Sequence, residues 1–472
     1  MPDRSPSSLT GEGAADGLAR RLAAFATTLT YEQIPGDVIA AARLHSLDLV
    51  GTALAAYGIG AGNCAASAAL ELGGPGEASV IGSAGGSPAA IAALANGTLA
   101  HAIEFDDTHT PSICHISAVI VPAALAVAET QRRSGRELLT AIVAGTEVVA
   151  RIGMDGAPSY MRTGFHPTPV CGVFGATVAA ALLRGCSENE LAHALGIAGS
   201  FAAGLFEYLG DGASTKSLHA GWAAQAGVSA ALLATHGGDG PAAVLEGRFG
   251  LYATHFGIED RAGLGDDWEL GSRWETLRLS FKAYPCCHFI AAPIDAMRAL
   301  LAAGLEVDAI EEVIVSVPAP AVPLVLEPRP SKVQPRTPFD AKFSLPFTLA
   351  SLLIHGSVDV GTYRPERLRD ERVLGLAPLI THEVEDLPGY PGVLPARVTV
   401  KLRDGGVVTQ LHPPDGVERA PTEAMVLQKF RENAANSVDG AGLSALESGL
   451  RGIDQAEDIH LTLEPLRRAH AS

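Results

Sequence analysis

Apolar residues recur at the three- and four-residue spacing of helices from about residue 16 to residue 275. Charged residues are sparse along the same stretch, so we expect several helices to be buried on more than one side. The pattern predicts helices over residues 21–28, 35–56, 88–95, 118–131, 135–154, 170–184, 188–201 and 217–236. This first part of the chain therefore predicts helices packed on helices.

The pattern changes between about residue 280 and residue 410, where segments alternate apolar and polar residues as strands do. Strands are predicted over residues 311–317 and 396–402, and Asp404-Gly405-Gly406 predicts a hairpin turn into a third strand at 407–411. Prolines are dense over 318–338, which predicts a long irregular connection. Helical patterning returns after about residue 420.

These patterns predict a mainly α protein with two domains and a disordered tail at residues 1–15. Residues 16–275 and 412–472 are expected to form a large all-α helical domain. Residues 276–411 are expected to form a smaller α+β lid domain, inserted before the last helices. A cleft is expected between the two domains, with Lys282 near the hinge.

The composition fits a large core, because 47% of the 472 residues are hydrophobic and only 18% are charged. The net charge of −18 argues against nucleic acid and anionic membranes as partners, so an acidic substrate needs a local positive site. Glycine, proline or polar residues interrupt the apolar runs, and no membrane span is predicted. No secretory signal is visible and the six cysteines have no regular spacing, so we expect reduced thiols and a cytoplasmic location.

The densest group of ionisable residues lies between His101 and His115, where three carboxylates and three imidazoles fall within fifteen residues. The surrounding sequence is almost entirely Ala, Gly, Val, Ile and Leu. Burial and mutual repulsion push the pKa values of such groups apart, as acid–base chemistry requires. A polar loop between two helix ends is the alternative interpretation of the same segment.

Three further segments place a similar mixture of polar groups before an apolar run or within it, at residues 162–169, 211–219 and 281–288. In the first two, and at the end of the His101 segment, residues that commonly cap helices precede the apolar run. The expected capping residues are Ser117, Thr168, and Ser214 or Thr215, with Pro169 at a first helical position. His115, His166 and Lys216 are therefore expected at or just before helix N-termini.

Lys216 is the least expected of these residues. A helix N-terminus has free N–H groups and partial positive charge, so it favours anions and opposes a lysine in the first turn. No lysine occurs in the first 215 residues and only six occur in the chain, so a bound carboxylate is the expected reason for this one. On the dipole argument alone, replacing Lys216 by alanine leaves the fold intact or slightly more stable.

Taken together, these segments resemble the MmgE/PrpD family, which includes 2-methylcitrate dehydratase, cis-aconitate decarboxylase and an iminodisuccinate epimerase. The resemblance rests on five segments in the family's order, at residues 101–117, 164–175, 214–221, 282–295 and 341–346. Residues 115–117 depart from the family, because they read His-Ile-Ser where His-Pro-Ser is usual. Residues 416–421 depart as well, because they replace a Gly/Pro-rich turn.

The resemblance implies an all-α domain and a smaller α+β lid with the active site between them. It also implies a homodimer, and no metal or other cofactor. The catalytic residues that it implies are Asp106, His115, His166, Lys216 and Lys282. The expected substrate-binding residues are Lys216, Lys282, Thr110, Ser117 and His288.

The implied activity is a lyase reaction on a small di- or tricarboxylate, with dehydration of a 2-methylcitrate-like substrate preferred. Decarboxylation of the cis-aconitate type and epimerisation of the iminodisuccinate type are alternatives on the same scaffold. In each reaction negative charge develops at a carboxylate, which preorganised positive groups stabilise. We expect Lys216 and Lys282 to bind carboxylates, His115 and His166 to exchange protons, and Asp106 to orient a histidine. Which histidine is the acid and which is the base stays open.

Two functions of other classes compete with this interpretation. A metal-dependent hydrolase could use Asp106, Asp107, His109 and His115 as mixed carboxylate and imidazole ligands, although their spacing is not that of a rigid metal motif. A non-catalytic polycarboxylate-binding protein would need the lysines but not the histidines. Metal analysis tests the first alternative, and a turnover screen with small polycarboxylates tests the second.

Overall fold

A computed structural model describes residues 17–260, 262–390, 392–414 and 421–469. The predicted tail at residues 1–15 lies outside these ranges, as does all of the segment 416–421 except Pro421. The α-helices up to residue 260 are α1 (Leu18–Thr28), α2 (Gly36–Gly58), α3 (Asn63–Leu72), α4 (Ala89–His101), α5 (Ser117–Thr130), α6 (Gly135–Gly156), α7 (Tyr160–Thr163), α8 (Pro167–Arg184), α9 (Glu188–Gly199), α10 (Tyr208–Asp211), α11 (Thr215–Thr235) and α12 (Leu251–Thr254).

Helices continue through the rest of the chain, around one sheet of four strands. The later helices are α13 (Ala291–Ala302), α14 (Val322–Val325), α15 (Arg329–Val333), α16 (Pro338–Lys342), α17 (Leu345–His355), α18 (Glu371–Leu376), α19 (Glu423–Ala434), α20 (Gly440–Arg451) and α21 (His460–Leu463). The strands are β1 (Ala78–Ser79), β2 (Gly86–Ser87), β3 (Thr108–His109), β4 (Leu279–Ser280), β5 (Ile310–Val317), β6 (Ile380–Val384), β7 (Ala396–Leu402) and β8 (Val407–His412).

The four-stranded sheet has the order β6-β5-β7-β8. Strand β6 runs parallel to β5, whereas β5 with β7 and β7 with β8 are antiparallel. The predicted hairpin joins β7 to β8, and Gly405 has the positive φ of 86° that its turn requires. The shorter strands form two separate antiparallel pairs, β1 with β2 and β3 with β4.

The structure confirms a mainly α protein. One local prediction is wrong in part, because the proline-dense connection at 318–338 contains the short helices α14 and α15. Both helices carry their proline in the first turn, where a missing backbone N–H costs no intrahelical hydrogen bond. Proline density therefore marked helix starts here as well as irregular backbone.

The buried apolar side chains form two hydrophobic cores. The first contains side chains from most helices before residue 280 and from α19, α20 and α21. The second contains most of the buried apolar side chains between residues 284 and 400, together with Tyr208. The domain boundaries at residues 276 and 411 stay predictions. The chain passes from the first core to the second near residue 280 and returns to the first core after residue 400.

Helices α4 and α11 pack backbone against backbone. This contact positions the C-terminus of α4, at His101, relative to the N-terminus of α11, at Thr215. A Cβ atom added to Gly97 would lie 3.0 Å from the Gly221 Cα atom. A Cβ atom added to Gly221 would lie 2.2 Å from the Thr98 Oγ1 atom and 2.3 Å from the Leu94 carbonyl oxygen. The two glycines therefore allow a helix separation that any larger residue would widen. This contact brings the C-terminus of α4 beside the N-terminal half of α11.

Two of the helices, α2 and α8, are long and apolar enough to cross a membrane by length and composition alone. Within the most apolar 18-residue window of each, 78% and 89% of the residues are buried inside the protein. Core helices commonly have this composition, so these two carry little weight as evidence for a membrane protein.

Candidate functional site

Four helix ends converge on one buried cluster of ionisable side chains. His101 is the last residue of α4, His166 is the N-cap of α8, and Lys216 is the second residue of α11. His115 lies two residues before Ser117, the first residue of α5. The expected placement of His115, His166 and Lys216 at or just before helix N-termini is therefore confirmed.

The predicted capping residues are wrong at two of these helices. Helix α8 begins at Pro167, so Thr168 is already inside its first turn, and its hydroxyl accepts a hydrogen bond from the His115 backbone N–H at 3.1 Å. Ser117 is the first residue of α5, and its hydroxyl donates to the carboxylate of Asp107. Both hydroxyls thus hold the segment that carries His115 instead of capping their own helices.

Glu104 sits between the two predicted lysines. Lys216 Nζ donates to both of its carboxylate oxygens at 2.6 and 2.7 Å, and Lys282 Nζ donates to its carbonyl oxygen at 3.1 Å and to Oε2 at 3.3 Å. The three residues are 1–4% exposed. Burial alone would raise the pKa of Glu104, but the two ammonium groups outweigh it and hold the pKa well below its usual range. Glu104 is therefore a buried carboxylate that stays ionised.

Strand pairing brings Lys282 to this cluster from a distant part of the chain. Thr108 pairs with Ser280 and His109 with Leu279, so β3 and β4 join the segment after Glu104 to the segment before Lys282. Lys429 secures the same junction, because its Nζ donates to the Phe105 and Lys282 carbonyl oxygens at 2.9 and 3.0 Å and lies 2.9 Å from an Asp48 carboxylate oxygen.

The imidazoles of His101, His115 and His166 form a second part of the cluster. Their ring centroids are 4.9 Å apart for His101 and His115, 5.9 Å for His101 and His166, and 6.4 Å for His115 and His166. Each Nδ1 atom has a partner. His101 donates to Asp106 Oδ2 at 2.7 Å, His115 donates to a backbone carbonyl oxygen at 2.8 Å, and His166 lies 3.1 Å from His219 Nδ1.

The His101 Nε2 atom is buried and has no hydrogen-bond partner among the described residues. His115 is the most accessible of the three imidazoles, with 13% of its side chain exposed. Its carbonyl partner belongs to Asp107, and this bond fixes the proton of the neutral ring on Nδ1. The Nε2 atom of neutral His115 therefore carries a lone pair and can accept a proton.

The local electrostatics favour neutral imidazoles at His115, His166 and His219 and an ionised carboxylate at Asp106. Burial lowers the pKa of His115 and His166 well below the usual value, and Lys216 lowers both further. Burial also lowers the pKa of His219 to about 4. Burial alone would raise the pKa of Asp106, but the neighbouring His101, which also donates a hydrogen bond to it, outweighs burial and holds that pKa well below its usual range. The free site thus combines acceptor nitrogens with fixed positive charge.

The five catalytic residues expected from the resemblance meet in this cluster. Asp106 Oδ2 is 2.7 Å from His101 Nδ1 and 3.8 Å from His115 Nδ1, so its closest imidazole is one that the sequence analysis did not include among the site residues. Lys216 and Lys282 share Glu104, which places the two lysines side by side.

The three further substrate-binding candidates take different positions. Ser117 contacts Asp107 through both its hydroxyl and its backbone N–H. Thr110 begins a short 3-10 turn, Thr110–Ser112, and is half-buried. His288 begins another turn, His288–Ile290, after the Cys287 backbone N–H that donates to the Lys342 carbonyl oxygen. Their roles stay predictions.

Sequence reasoning missed three residues of the cluster: His101, Glu104 and Lys342. The first two stand in the segment that drew attention to the site, but neither lies at a helix N-terminus, the feature on which the choice of residues rested. Glu104 has a positive φ of 57°, which is uncommon for a residue other than glycine. Lys342 comes from the segment Ala-Lys-Phe-Ser-Leu-Pro, which had entered only as a family motif.

The ligand set of the rival metal-dependent hydrolase does not converge. Asp107 contacts Ser117, and its Oδ2 atom lies 2.9 Å from His45 Nδ1. Both ring nitrogens of His109 are occupied, by Ser112 at 2.8 Å and Glu275 at 3.1 Å. In the described part of the chain, the group whose potential ligand atoms all lie within 4.8 Å of one another consists of His101, His115 and His166.

Two sequence profiles and several curated relatives match the chain. Residues 20–262 match the MmgE/PrpD N-terminal domain, and residues 284–445 match the MmgE/PrpD C-terminal domain. The cis-aconitate decarboxylase-like protein oryM of Aspergillus oryzae is 28% identical over 459 residues, which cover 92% of this chain and 94% of that protein. A cis-aconitate decarboxylase of Aspergillus terreus is 26% identical and covers 96% of both chains. The cis-aconitate decarboxylase of Homo sapiens is 28% identical over 79% of this chain and 78% of its own length.

Proposed function

The chain belongs to the MmgE/PrpD family, and from that premise we propose that it is a lyase acting on a small di- or tricarboxylate. The observation that carries the proposal is the buried pairing of two ammonium groups beside three imidazoles. Lys216 and Lys282 supply fixed positive charge where a substrate carboxylate needs it, and the imidazoles supply proton acceptors and donors within reach of the same space.

We infer that the preferred reaction is a decarboxylation of the cis-aconitate type. Four relatives with this activity in their names cover 79–96% of the chain at identities of 25–28%. The relatives thus move the preference away from the dehydration expected from the sequence. Dehydration of a 2-methylcitrate-like substrate and epimerisation remain outcomes that the turnover experiment below can detect.

In such a decarboxylation the bond between a carbon atom and its carboxylate breaks, and the carboxylate leaves as CO₂. The electron pair of that bond forms a new carbon–carbon double bond, the existing double bond shifts, and the carbon at its far end takes one proton. Lys216 and Lys282 hold a remaining carboxylate towards which negative charge moves. The overall balance is one tricarboxylate and one proton giving one dicarboxylate and one CO₂.

We assign the proton transfer to His115. Its Nδ1–H is fixed by the Asp107 carbonyl oxygen, and it is more accessible than His101 or His166. Burial and the two lysines keep the free imidazole neutral, but the carboxylates of a bound substrate raise its pKa by adding nearby negative charge. Substrate binding therefore loads Nε2 with the proton that the product needs. The hydrogen-bonded pair of Asp106 and His101 lies beside His115 and contributes to the electrostatic potential at its ring.

We propose that residues 276–411 act as a lid over this site. The charged groups of the cluster are almost fully buried, so a substrate can reach them only when the contacts between the two cores open. Such contacts include Thr337 Oγ1 with the Gly212 carbonyl oxygen at 3.3 Å and Lys342 Nζ with the Ala102 carbonyl oxygen at 3.1 Å. As part of the proposed function, we also propose that the protein is a homodimer and that it is located in the cytoplasm.

The turnover test is a screen of wild-type protein against cis-aconitate, 2-methylcitrate, citrate and a set of dicarboxylates. We expect release of CO₂ and formation of an unsaturated dicarboxylate in equal amounts from cis-aconitate or a close analogue. Loss of water without CO₂ would shift the proposal to the dehydratase alternative. Absence of turnover with every polycarboxylate, with binding retained, would favour the non-catalytic binding protein.

We expect prolonged dialysis against a chelator to leave that turnover unchanged. The lysines supply the positive charge that a metal would otherwise provide, and the ligand set of the rival hydrolase is dispersed among other partners. Metal analysis and turnover measured on the same dialysed sample check this expectation. Turnover lost on dialysis and restored by a divalent transition metal would instead assign a metal to the three imidazoles.

A further inference from the structure

Lys342 is a third lysine beside Glu104, and the roles given above do not use it. It is the last residue of α16 in the second hydrophobic core, and its side chain is buried. Its Nζ atom crosses to the first core and donates to the carbonyl oxygen of Ala102, the C-cap of α4, at 3.1 Å. Lys342 therefore extends from the second core to the segment of the first core that carries Glu104.

The lysines of the cluster and its surroundings differ in how many of their three N–H donors are used. Lys429 uses all three, on the carboxylate of Asp48 and on two carbonyl oxygens. Lys216 and Lys282 each make two hydrogen bonds, and in both cases at least one goes to the Glu104 carboxylate. Among the described residues, Lys342 makes one hydrogen bond, and no carboxylate of these residues lies within ion-pair distance of it.

A cation with two unused donors is costly to bury unless a partner arrives. Burial lowers the pKa of Lys342 to about 8, partly opposed by Glu104 and reinforced by Lys216 and Lys282, which matches an ammonium group without its own counter-ion. The helix C-terminus at Ala102 favours a cation but satisfies only one donor. A structural role for Lys342 thus leaves most of its hydrogen-bonding capacity unexplained.

We propose that Lys342 binds a second carboxylate of the substrate, separate from the carboxylate held by Lys216 and Lys282. This proposal rests on the proposed function and deepens it, because it makes Lys342 the residue that selects di- and tricarboxylates over monocarboxylates. A substrate held at both places contacts both cores. Recognition of the second carboxylate is thereby tied to closure of the lid.

The test compares Lys342→Met with the matched control Lys332→Met. Lys332 is also a buried lysine of the second core whose Nζ donates to one carbonyl oxygen, that of Leu324 at 2.7 Å. Binding of two inert probes is measured by calorimetry, propane-1,2,3-tricarboxylate and its analogue glutarate, which lacks the middle carboxylate. Acetate serves as the monocarboxylate reference.

We expect Lys342→Met to weaken binding of the tricarboxylate by about 10- to 100-fold, the loss typical of a charge-assisted hydrogen bond. The ratio of tricarboxylate to acetate affinity should fall by the same factor, and acetate binding itself should stay unchanged. The glutarate result shows whether the middle or a terminal carboxylate is the partner. In the turnover assay, KM should rise more than kcat falls. Lys332→Met should match the wild type throughout.

Unchanged affinity of Lys342→Met for both polycarboxylates would overturn the inference, and so would an equal loss for acetate. If Lys342→Met does not fold, Lys342→Gln keeps a donor for Ala102 without the charge and decides the same question. The two proposals fail separately. Selective loss of tricarboxylate binding in a protein without turnover supports the subsite and rejects the lyase, whereas turnover that is insensitive to Lys342 rejects the subsite alone.

Discussion

His115→Asn is expected to lower kcat by about 10²- to 10⁴-fold, the usual loss when a proton-transfer group is removed. Asparagine can still donate to the Asp107 carbonyl oxygen from the place of Nδ1, so the local fold keeps its hydrogen bond. It has no ring nitrogen in the place of Nε2, so no proton can be loaded there. The variant therefore removes the chemistry and retains the anchor.

Steady-state turnover and calorimetric binding of propane-1,2,3-tricarboxylate together check this expectation. Binding should stay within about threefold of the wild type, because the lysines that hold carboxylates are untouched. His193→Asn is a suitable control, since His193 is a half-buried histidine of α9 whose Nδ1 accepts the Gly240 N–H. If His115→Asn kept more than about a tenth of wild-type kcat, the proton transfer would have to be reassigned, with His166 and His101 as the next candidates.

Lys216→Met is expected to reduce both stability and activity. The helix-dipole argument from the sequence predicted an unchanged or slightly higher stability for the loss of Lys216, and the structure reverses its sign. Lys216 neutralises the buried carboxylate of Glu104, and breaking a buried ion pair leaves an uncompensated charge. Because Lys282 remains beside Glu104, we expect a loss of about 2–4 kcal/mol in the free energy of unfolding.

The pH dependence of this loss follows from the direction of the Glu104 shift. Its pKa is lower in the folded protein than in the unfolded chain, so the ion pair contributes stability above the unfolded value of about 4.3. That contribution disappears as the pH falls through the folded value. Wild type and Lys216→Met should therefore differ most in urea unfolding near neutral pH and converge in acid. A constant difference across that range would contradict the assignment.

The double variant Lys216→Met with Glu104→Gln provides the control for stability. Replacing both members of a buried ion pair is often close to neutral, so this variant should unfold at a higher urea concentration than Lys216→Met alone. Its activity should not recover, because the carboxylate-binding charge is still missing. We expect kcat/KM to fall about 30- to 1000-fold in both variants, equivalent to roughly 2–4 kcal/mol of transition-state stabilisation.

The helical fold and the helix ends at the site could be predicted because they depend on local sequence. The apolar periodicity of α8 and α11 and the polar residues just before them identified His166 and Lys216. The exact caps could not be predicted, because Thr168 and Ser117 bind a neighbouring segment instead of their own helices. That choice depends on contacts between residues about 53 and 10 positions apart.

Glu104 was out of reach for a similar reason. Its place between the lysines requires a left-handed backbone conformation, and nothing in the apolar pattern marks one. It also requires Lys282, which is 178 residues away and is placed by the pairing of β3 with β4. Two-residue strands give no periodic signal, so sequence reasoning reached Lys282 only through the family resemblance.

The contact between Gly97 and Gly221 has a consequence for how this protein can evolve. The backbones of α4 and α11 are in direct contact there, so a substitution at either glycine cannot bring the two helices closer and can only move them apart. The helix that ends at His101 and the helix that carries Lys216 therefore have a fixed minimum separation. The part of the site that lies on α4 and α11 therefore tolerates few single substitutions. We expect new substrate preferences to arise in the part of the site that the second core supplies. There α16 contributes side chains such as Lys342, which can be substituted one at a time.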